Sequence, residues 1–179
     1  MISKISLAEF SEKYKLVHDA IFSGRSVFQM PFEHLEWDYV ILPGRIHIAD
    51  DILQALASAA IHCGDICFIA TSCEADMAMP HEDSIVGSWE ADRFGEIDDV
   101  APVLSSTDNH VFGKSGRWGM IRYYDDFSCV GGDKGFMEIF LGSLGGRDTL
   151  KERFRRFDSE GWYIDKDYKS KILRSVGWD

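Results

Sequence analysis

Long apolar runs are missing from this 179-residue sequence, and their absence argues against a membrane-spanning helix. No stretch approaches the roughly 18 consecutive apolar residues that such a helix requires. The first ten residues also lack the apolar core of a secretory signal peptide. We therefore expect a cytoplasmic protein that makes no contact with membranes. Its four cysteines are then expected to be reduced thiols.

Basic residues are scarce. The chain has 19 lysines and arginines against 30 aspartates and glutamates, which gives a formal net charge of −11. Binding to phosphate backbones needs a positive surface, so free nucleic acid is not an expected ligand. An acidic surface suits solubility or a basic protein partner, because opposite charges attract each other during association.

The composition is otherwise that of a folded globular protein, with 45% hydrophobic and 27% charged residues. A chain of this length buries about 70% of the surface that its unfolded form exposes. It can therefore form a core without disulfides or metal ions. Length alone predicts one domain over residues 1–179.

Familiar catalytic and nucleotide-binding motifs are also absent. The sequence has no G-x-S-x-G elbow. The glycine-rich residues 131–135 lie between a predicted strand and a predicted helix, but they fit neither common phosphate-binding pattern. Asp133 would place a negative charge where a phosphate would bind. Residues 113–115 resemble the end of a P-loop that lacks its first glycine. We expect turns and helix caps at both places, and no cofactor.

Metal-ligand residue types occur in two groups, and neither has the spacing of a known site. The first group contains His62, Cys63, Cys67 and Cys73. Its Cys-x3-Cys spacing is not that of a zinc knuckle, so buried free thiols are the expected alternative. The second group contains Glu74, Asp76, His81, Glu82 and Asp83. These side chains could bind a hard cation or form an acid–base pair, but the order of an EF-hand is missing and a solvated acidic loop is favoured.

The strongest local signals lie between residues 112 and 141. Residues 118–124 and 127–130 have the aromatic and β-branched residues of two paired strands. Alternation places Arg122 on one face and Ile121 on the other, and we expect the Ile121 face to be the more buried. Asp133 is a suitable N-cap for a helix that packs Phe136 and Phe140 on the sheet. Gly145 and Gly146 end that helix.

The rest of the chain alternates between helical and strand patterns. The predicted helices begin at a Ser6 capping box, at Asp50, at Asp148 and at Asp165. Further strands are predicted over residues 26–30, 35–42, 45–48, 65–71 and 84–89. Residues 65–71 follow a helix and could form a parallel strand. The sequence thus predicts an α+β fold, with a mainly antiparallel sheet of five to seven strands, helices packed on it and a helical C-terminus.

One acidic segment, residues 74–108, stands apart from the rest of the chain. It has ten carboxylates, a single base (Arg93) and one tryptophan, Trp89. An aromatic side chain among carboxylates could anchor a basic partner, while the carboxylates steer its approach. The candidate binding residues are Glu82, Asp83, Trp89, Glu90 and Asp92. The alternative interpretation is that Trp89 only anchors its own loop.

Two functional classes follow from these patterns. The first is a non-enzymatic acidic binding protein, such as an immunity-type inhibitor of a basic toxin or enzyme. Missing catalytic motifs, the net charge and the acidic segment favour this class. The second is a small metal-dependent enzyme whose site is assembled from distant residues, with His81, Glu82 and Asp83 as candidate ligands. No catalytic or metal-binding residue is assigned from the sequence.

Overall fold

A computed structural model describes residues 1–22, 32–43, 49–75, 83–92, 108–122, 127–158 and 166–178. Seven β-strands lie in these ranges: β1 Ile2–Ile5, β2 Asp38–Pro43, β3 Phe68–Ala75, β4 Asp83–Ala91, β5 Asp108–Phe112, β6 Trp118–Arg122 and β7 Phe127–Gly132. The six α-helices in the same ranges are α1 Leu7–Lys13, α2 Lys15–Phe22, α3 Asp50–His62, α4 Lys134–Ser143, α5 Arg147–Asp158 and α6 Lys166–Ser175. A 3-10 turn occupies Glu33–Leu35.

The strands form one sheet in the order β1-β4-β3-β5-β6-β7-β2, and every ladder is antiparallel. This confirms the predicted α+β class with a mainly antiparallel sheet and a helical C-terminus. The strand after α3 has antiparallel neighbours on both sides, β4 and β5. The suggested parallel pairing was therefore wrong.

Helices cover both faces of the sheet. On one face α2 lies so close to β6 that a Cβ atom on Gly119 would come within 2.8 Å of Ile21. On the other face, a Cβ atom on Gly132 would come within 2.5 Å of Phe136 of α4. Its ring stacks on Trp118, with centroids 5.5 Å apart. The predicted packing of α4 on the sheet is confirmed.

Strand β6 is more deeply buried than the sequence predicted. All five of its residues are buried, and Arg122 is only 4% exposed. The prediction of a wetter face around Arg122 was wrong because it assumed that one side of the sheet meets water. Between two helical layers, neither face of a central strand does.

Helix ends agree with the sequence only in part. Ser6 and Asp133 cap α1 and α4 as predicted, each accepting a hydrogen bond from the backbone N–H three residues later. The first helix is interrupted at Tyr14, which has non-helical dihedrals. Asp50 lies inside the first turn of α3, after Ala49. Asp148 similarly lies in the first turn of α5. Both aspartates therefore interact favourably with the positive end of the helix dipole, and neither is the N-cap residue.

Strand boundaries differ where the backbone turns. Residues 35–37 were predicted to be extended, but β2 begins only at Asp38. The reason is that Leu35 ends the 3-10 turn and Glu36 has a left-handed φ angle of 54°, which a strand does not accommodate. β3 begins and ends later than predicted, and β4 extends the predicted strand 84–89 in both directions. The predicted strands 26–30 and 45–48 and the cap Asp165 lie outside the described residues.

No helix in the described ranges has the length and apolarity needed to cross a bilayer.

Candidate functional site

Four of the five predicted binding residues lie in the described ranges, and they are spread along β4 and just beyond it. Asp83 begins β4, whereas Trp89 and Glu90 lie near its other end and Asp92 follows it. At about 3.3 Å per residue, the two ends of β4 are roughly 26 Å apart. Glu82 lies outside the described residues, and of Asp83 the structure describes the backbone alone.

Trp89 is half-buried and packs along its own strand. A Cβ atom on Gly87 would lie 2.4 Å from Cη2 of Trp89, so the indole covers that glycine closely. Neighbouring residues of a strand point to opposite faces, so Trp89 and Glu90 lie on opposite sides of the sheet. These contacts agree with the alternative interpretation, in which Trp89 anchors its own segment.

Glu90 gathers three side chains from other parts of the fold. Its carboxylate accepts hydrogen bonds from the Tyr14 hydroxyl at 2.8 Å and from Nζ of Lys114 at 2.6 Å. The Cys67 thiol donates to it over 3.6 Å. The hydrogen bond from Lys114 lowers the pKa of Glu90 despite its partial burial. Burial raises the pKa of the Cys67 thiol, which keeps it in the less reactive protonated form.

Replacing Glu90 with glutamine should destabilise the protein by about 1 kcal/mol at pH 7, because the ion pair with Lys114 is lost. The pKa of Glu90 is lower in the folded state than its ordinary 4.5. Its stabilising effect is therefore complete above the unfolded-state pKa and is lost as the pH falls through the folded-state pKa. Urea unfolding of both proteins at pH 7, 5, 4 and 3 measures this. A difference that stays constant over this range would contradict the prediction.

Asp92 makes a contact of a different kind. One of its carboxylate oxygens lies 3.2 Å from the ammonium group of Met1, and both groups are largely exposed. An exposed pair of this type contributes little to stability.

At the other end of β4, three acidic residues come together along the backbone. Glu74 pairs with Ser84, Ala75 pairs with Asp83, and Cys73 pairs with Asp108. The three carboxylate-bearing positions thus lie at the same end of β4, β3 and β5, which are adjacent strands. Sequence reasoning identified the acidic segment but did not show that its two ends meet here.

A groove of about 600 Å³ lies at a corner of the fold that sequence reasoning did not single out. It is formed by the 3-10 turn, the start of β2 and the first turns of α4. Its apolar lining consists of Leu35, Trp37, Met137 and Leu141. Trp37 is half-buried and packs against Phe32 with ring centroids 5.7 Å apart.

The polar lining of this groove is mostly acidic. It contains four carboxylates and one lysine: Glu36, Asp38, Asp133, Glu138 and Lys134. In the sequence, Trp37 stands directly between Glu36 and Asp38. That triplet was the available signal, and its assignment to a strand concealed it.

Glu36 is held in a conformation that costs energy. The left-handed conformation raises the energy of the folded state by about 1–2 kcal/mol for a non-glycine residue. Glycine avoids this strain, but it loses more backbone entropy on folding, which costs roughly 0.5–1 kcal/mol. Replacing Glu36 with glycine should therefore raise the free energy of unfolding by about 0.5–1 kcal/mol. As a control, glycine in place of Glu138, inside α4, should lower it by about 1 kcal/mol. Destabilisation by the Glu36 variant in urea unfolding would refute the prediction.

Two buried histidines connect α2 to the sheet. Nε2 of His18 lies 3.0 Å from Nδ1 of His110, and Nδ1 of His18 lies 3.2 Å from a carboxylate oxygen of Asp19. His110 also stacks on Phe22, with ring centroids 4.1 Å apart. When both rings are neutral, the contacts fit one order of donors: Nδ1–H of His110 donates to His18, whose own Nδ1–H donates to Asp19. With both rings buried, this pair is part of the packing between α2 and the sheet.

The metal and phosphate interpretations find little support in the described ranges. There, no group of three or more histidine, cysteine, aspartate or glutamate side chains could hold a metal ion. Cys63, Cys67 and Cys129 are free thiols. At the start of α4, Asp133 accepts the N–H of Phe136 at 2.9 Å and pairs with Arg117 at 2.6 Å. A carboxylate thus lies where a phosphate would bind. Of the two predicted metal-ligand groups, Asp76, His81 and Glu82 lie outside the described residues, and only the backbone of Cys73, Glu74 and Asp83 is described.

Comparison with known proteins gives no match: no family model, curated protein or solved structure aligns significantly with this chain.

Proposed function

We propose that this chain is a non-enzymatic acidic binding protein that holds a basic protein partner, in the manner of an immunity-type inhibitor of a basic toxin or enzyme. One observation carries the proposal. Residues 74–108 contain ten carboxylates and one arginine, which accounts for −9 of the net charge of −11. The strand register brings Glu74, Asp83 and Asp108 to one end of three adjacent strands.

The carboxylates on the described helices support this location for the binding surface. Many of them are already paired with cations on the same helix or on a neighbouring one. Glu9 pairs with Lys13 at 2.7 Å, and Asp51 pairs with Arg153. Because the two charges of such a pair largely cancel, the pair contributes little to the electrostatic field that an approaching partner meets. The unbalanced charge is concentrated in residues 74–108, where it can attract a basic protein and accelerate association.

The positions of Trp89 and Glu90 indicate which end of the sheet is available to a partner. Glu90 is engaged by Tyr14 and Lys114, and Trp89 packs on its own strand. The carboxylates proposed to attract the partner are therefore those at the end of the sheet that carries Asp83, and Glu90 and Asp92 at the opposite end are not among them. Attraction of this kind is screened by salt over about 8–10 Å.

The test begins with capture of partners from the native cell lysate at low salt, followed by release at high salt and identification. The retained protein is then purified, and its association rate is measured with a variant in which Glu74, Asp83 and Asp108 are all lysine. We expect the rate to fall by roughly tenfold or more and to depend less on salt. The control variant changes Glu9, Glu12 and Glu152 to lysine and should show a much smaller loss.

Equal losses in the two variants would overturn the proposed surface. Stoichiometric metal in the purified protein, with loss of stability on chelation, would overturn the non-enzymatic class and favour the metal-dependent alternative. Circular dichroism and thermal unfolding confirm that both variants are folded.

A further inference from the structure

We propose that the groove beside Trp37 binds one lysine or arginine side chain of a partner protein. This inference rests on the proposed function for the nature of the partner. The binding of the side chain itself can be tested without that partner.

The shape and apolar lining of the groove suit a long side chain. Met137 is buried, while Leu35, Trp37 and Leu141 are half-buried, so together they offer apolar surface that is only partly covered. Lysine and arginine have extended hydrocarbon stems that pack on such surface while the charged end stays near water. A volume of about 600 Å³ leaves room for the stem and for the backbone that carries it.

Pairing within the fold determines which lining carboxylates remain available. Asp38 forms an ion pair with Arg147, and Asp133 forms one with Arg117. Both are therefore already balanced. Glu36, in contrast, is exposed and forms no ion pair or hydrogen bond with the described residues.

Glu138 is the second available carboxylate. It lies 3.8 Å from Lys134, with the side chains 66% and 89% exposed. An ion pair that is this long and this exposed is worth little, so a ligand can compete for Glu138. The groove therefore offers two weakly engaged carboxylates, Glu36 and Glu138, to a single cation.

The indole of Trp37 adds a third favourable contact. A cation over the face of a tryptophan is attracted by the ring, and arginine makes this contact most often. An anionic ligand is disfavoured, because Asp133 already accepts the N–H of Phe136 at the start of α4. A purely apolar ligand would gain the same burial but would gain no interaction with Glu36 or Glu138.

The probes are the amides of N-acetyl-arginine and N-acetyl-lysine, with the amides of N-acetyl-norleucine and N-acetyl-glutamate as neutral and anionic controls. Binding is followed by chemical shifts in ¹H–¹⁵N spectra, with the indole N–H of Trp37 assigned from a Trp37→Phe spectrum. We expect saturable shifts of residues around the groove with the cationic probes. The norleucine probe should bind roughly three- to tenfold more weakly, and the glutamate probe should cause no saturable shift.

Variants show which carboxylates are responsible. Changing Glu36 and Glu138 together to glutamine should weaken the arginine probe roughly three- to tenfold and leave the norleucine probe unchanged. Changing Glu152 to glutamine, on the exposed side of α5, should alter neither. Equal binding of arginine and norleucine, or an arginine affinity that the double variant does not change, would overturn the inference.

The two proposals can fail separately. If the groove does not bind the arginine probe, the tenfold slower association expected for the lysine variant at Glu74, Asp83 and Asp108 is unaffected. Conversely, a partner that ignores those three positions would not affect the binding of the arginine probe at Trp37.

Discussion

Replacing Asp65 with alanine is expected to lower the free energy of unfolding by about 3–5 kcal/mol. This carboxylate is 4% exposed and accepts three hydrogen bonds. One comes from Nε1 of Trp118 at 2.9 Å, and two come from the backbone N–H and the hydroxyl of Ser115, at 2.9 and 2.6 Å. Without it, the buried indole N–H of Trp118 loses the acceptor at 2.9 Å, and losing such a partner costs about 1–3 kcal/mol.

Asparagine at the same position provides a sharper comparison. Oδ1 of Asp65 accepts from the backbone of Ser115, and Oδ2 accepts from Trp118. An amide group has only one oxygen, so either orientation points its NH₂ group at an N–H donor. We therefore expect Asp65→Asn to lose about 2–3 kcal/mol although its shape is preserved.

Urea unfolding monitored by tryptophan fluorescence measures both variants. Glu12→Ala, at an exposed position of α1, should change stability by less than about 0.5 kcal/mol. A loss below about 1 kcal/mol for both Asp65 variants would show that water replaces the carboxylate. The same network restricts Gly113, where a Cβ atom would lie 1.9 Å from the carboxylate of Asp65.

Replacing Phe140 with alanine is expected to cost about 3–5 kcal/mol. Its ring is fully buried in α4 and stacks on Phe136, with centroids 5.9 Å apart. Phe136 in turn stacks on Trp118 of the sheet. Removing the ring of Phe140 leaves a cavity between α4 and its neighbours, and the closely packed surroundings cannot fill it.

Phe140→Leu fills part of this cavity and should lose clearly less stability than Phe140→Ala. Glu138→Ala, on the exposed side of the same helix, is the control and should be nearly neutral. Chemical unfolding with an unchanged m-value shows that the effect belongs to the folded state. Equal losses for alanine and leucine would contradict a cavity as the cause.

Local features of this fold could be predicted because neighbouring residues determine them. The cap at Asp133 depends on one carboxylate and the N–H three residues later. The end of α4 depends on Gly145 and Gly146, whose φ angles of 79° and 89° favour glycine. The β6–β7 hairpin likewise depends on two short segments close together in the sequence.

Features that depend on distant residues could not be predicted. Burial of Arg122 follows from helices on both faces of the sheet, and no residue near it signals that. Asp65 lies 50 residues before Ser115, its hydrogen-bond partner, so it was assigned to a strand. The groove was missed for a similar reason: glutamate has no preference for the left-handed region, so nothing marked Glu36 as the end of a turn.

The strand order also determines when each strand can pair while the chain is being synthesised. Both edges of the sheet are N-terminal strands, yet β1 pairs with β4 and β2 pairs with β7, which leave the ribosome much later. Until then each early strand has no partner to protect it from aggregation. The middle of the sheet, from β3 to β7, pairs strands that lie closer in the sequence and incurs less loop-closure entropy. We therefore expect the central strands to fold first and the two N-terminal strands to complete the edges last, against the direction of synthesis.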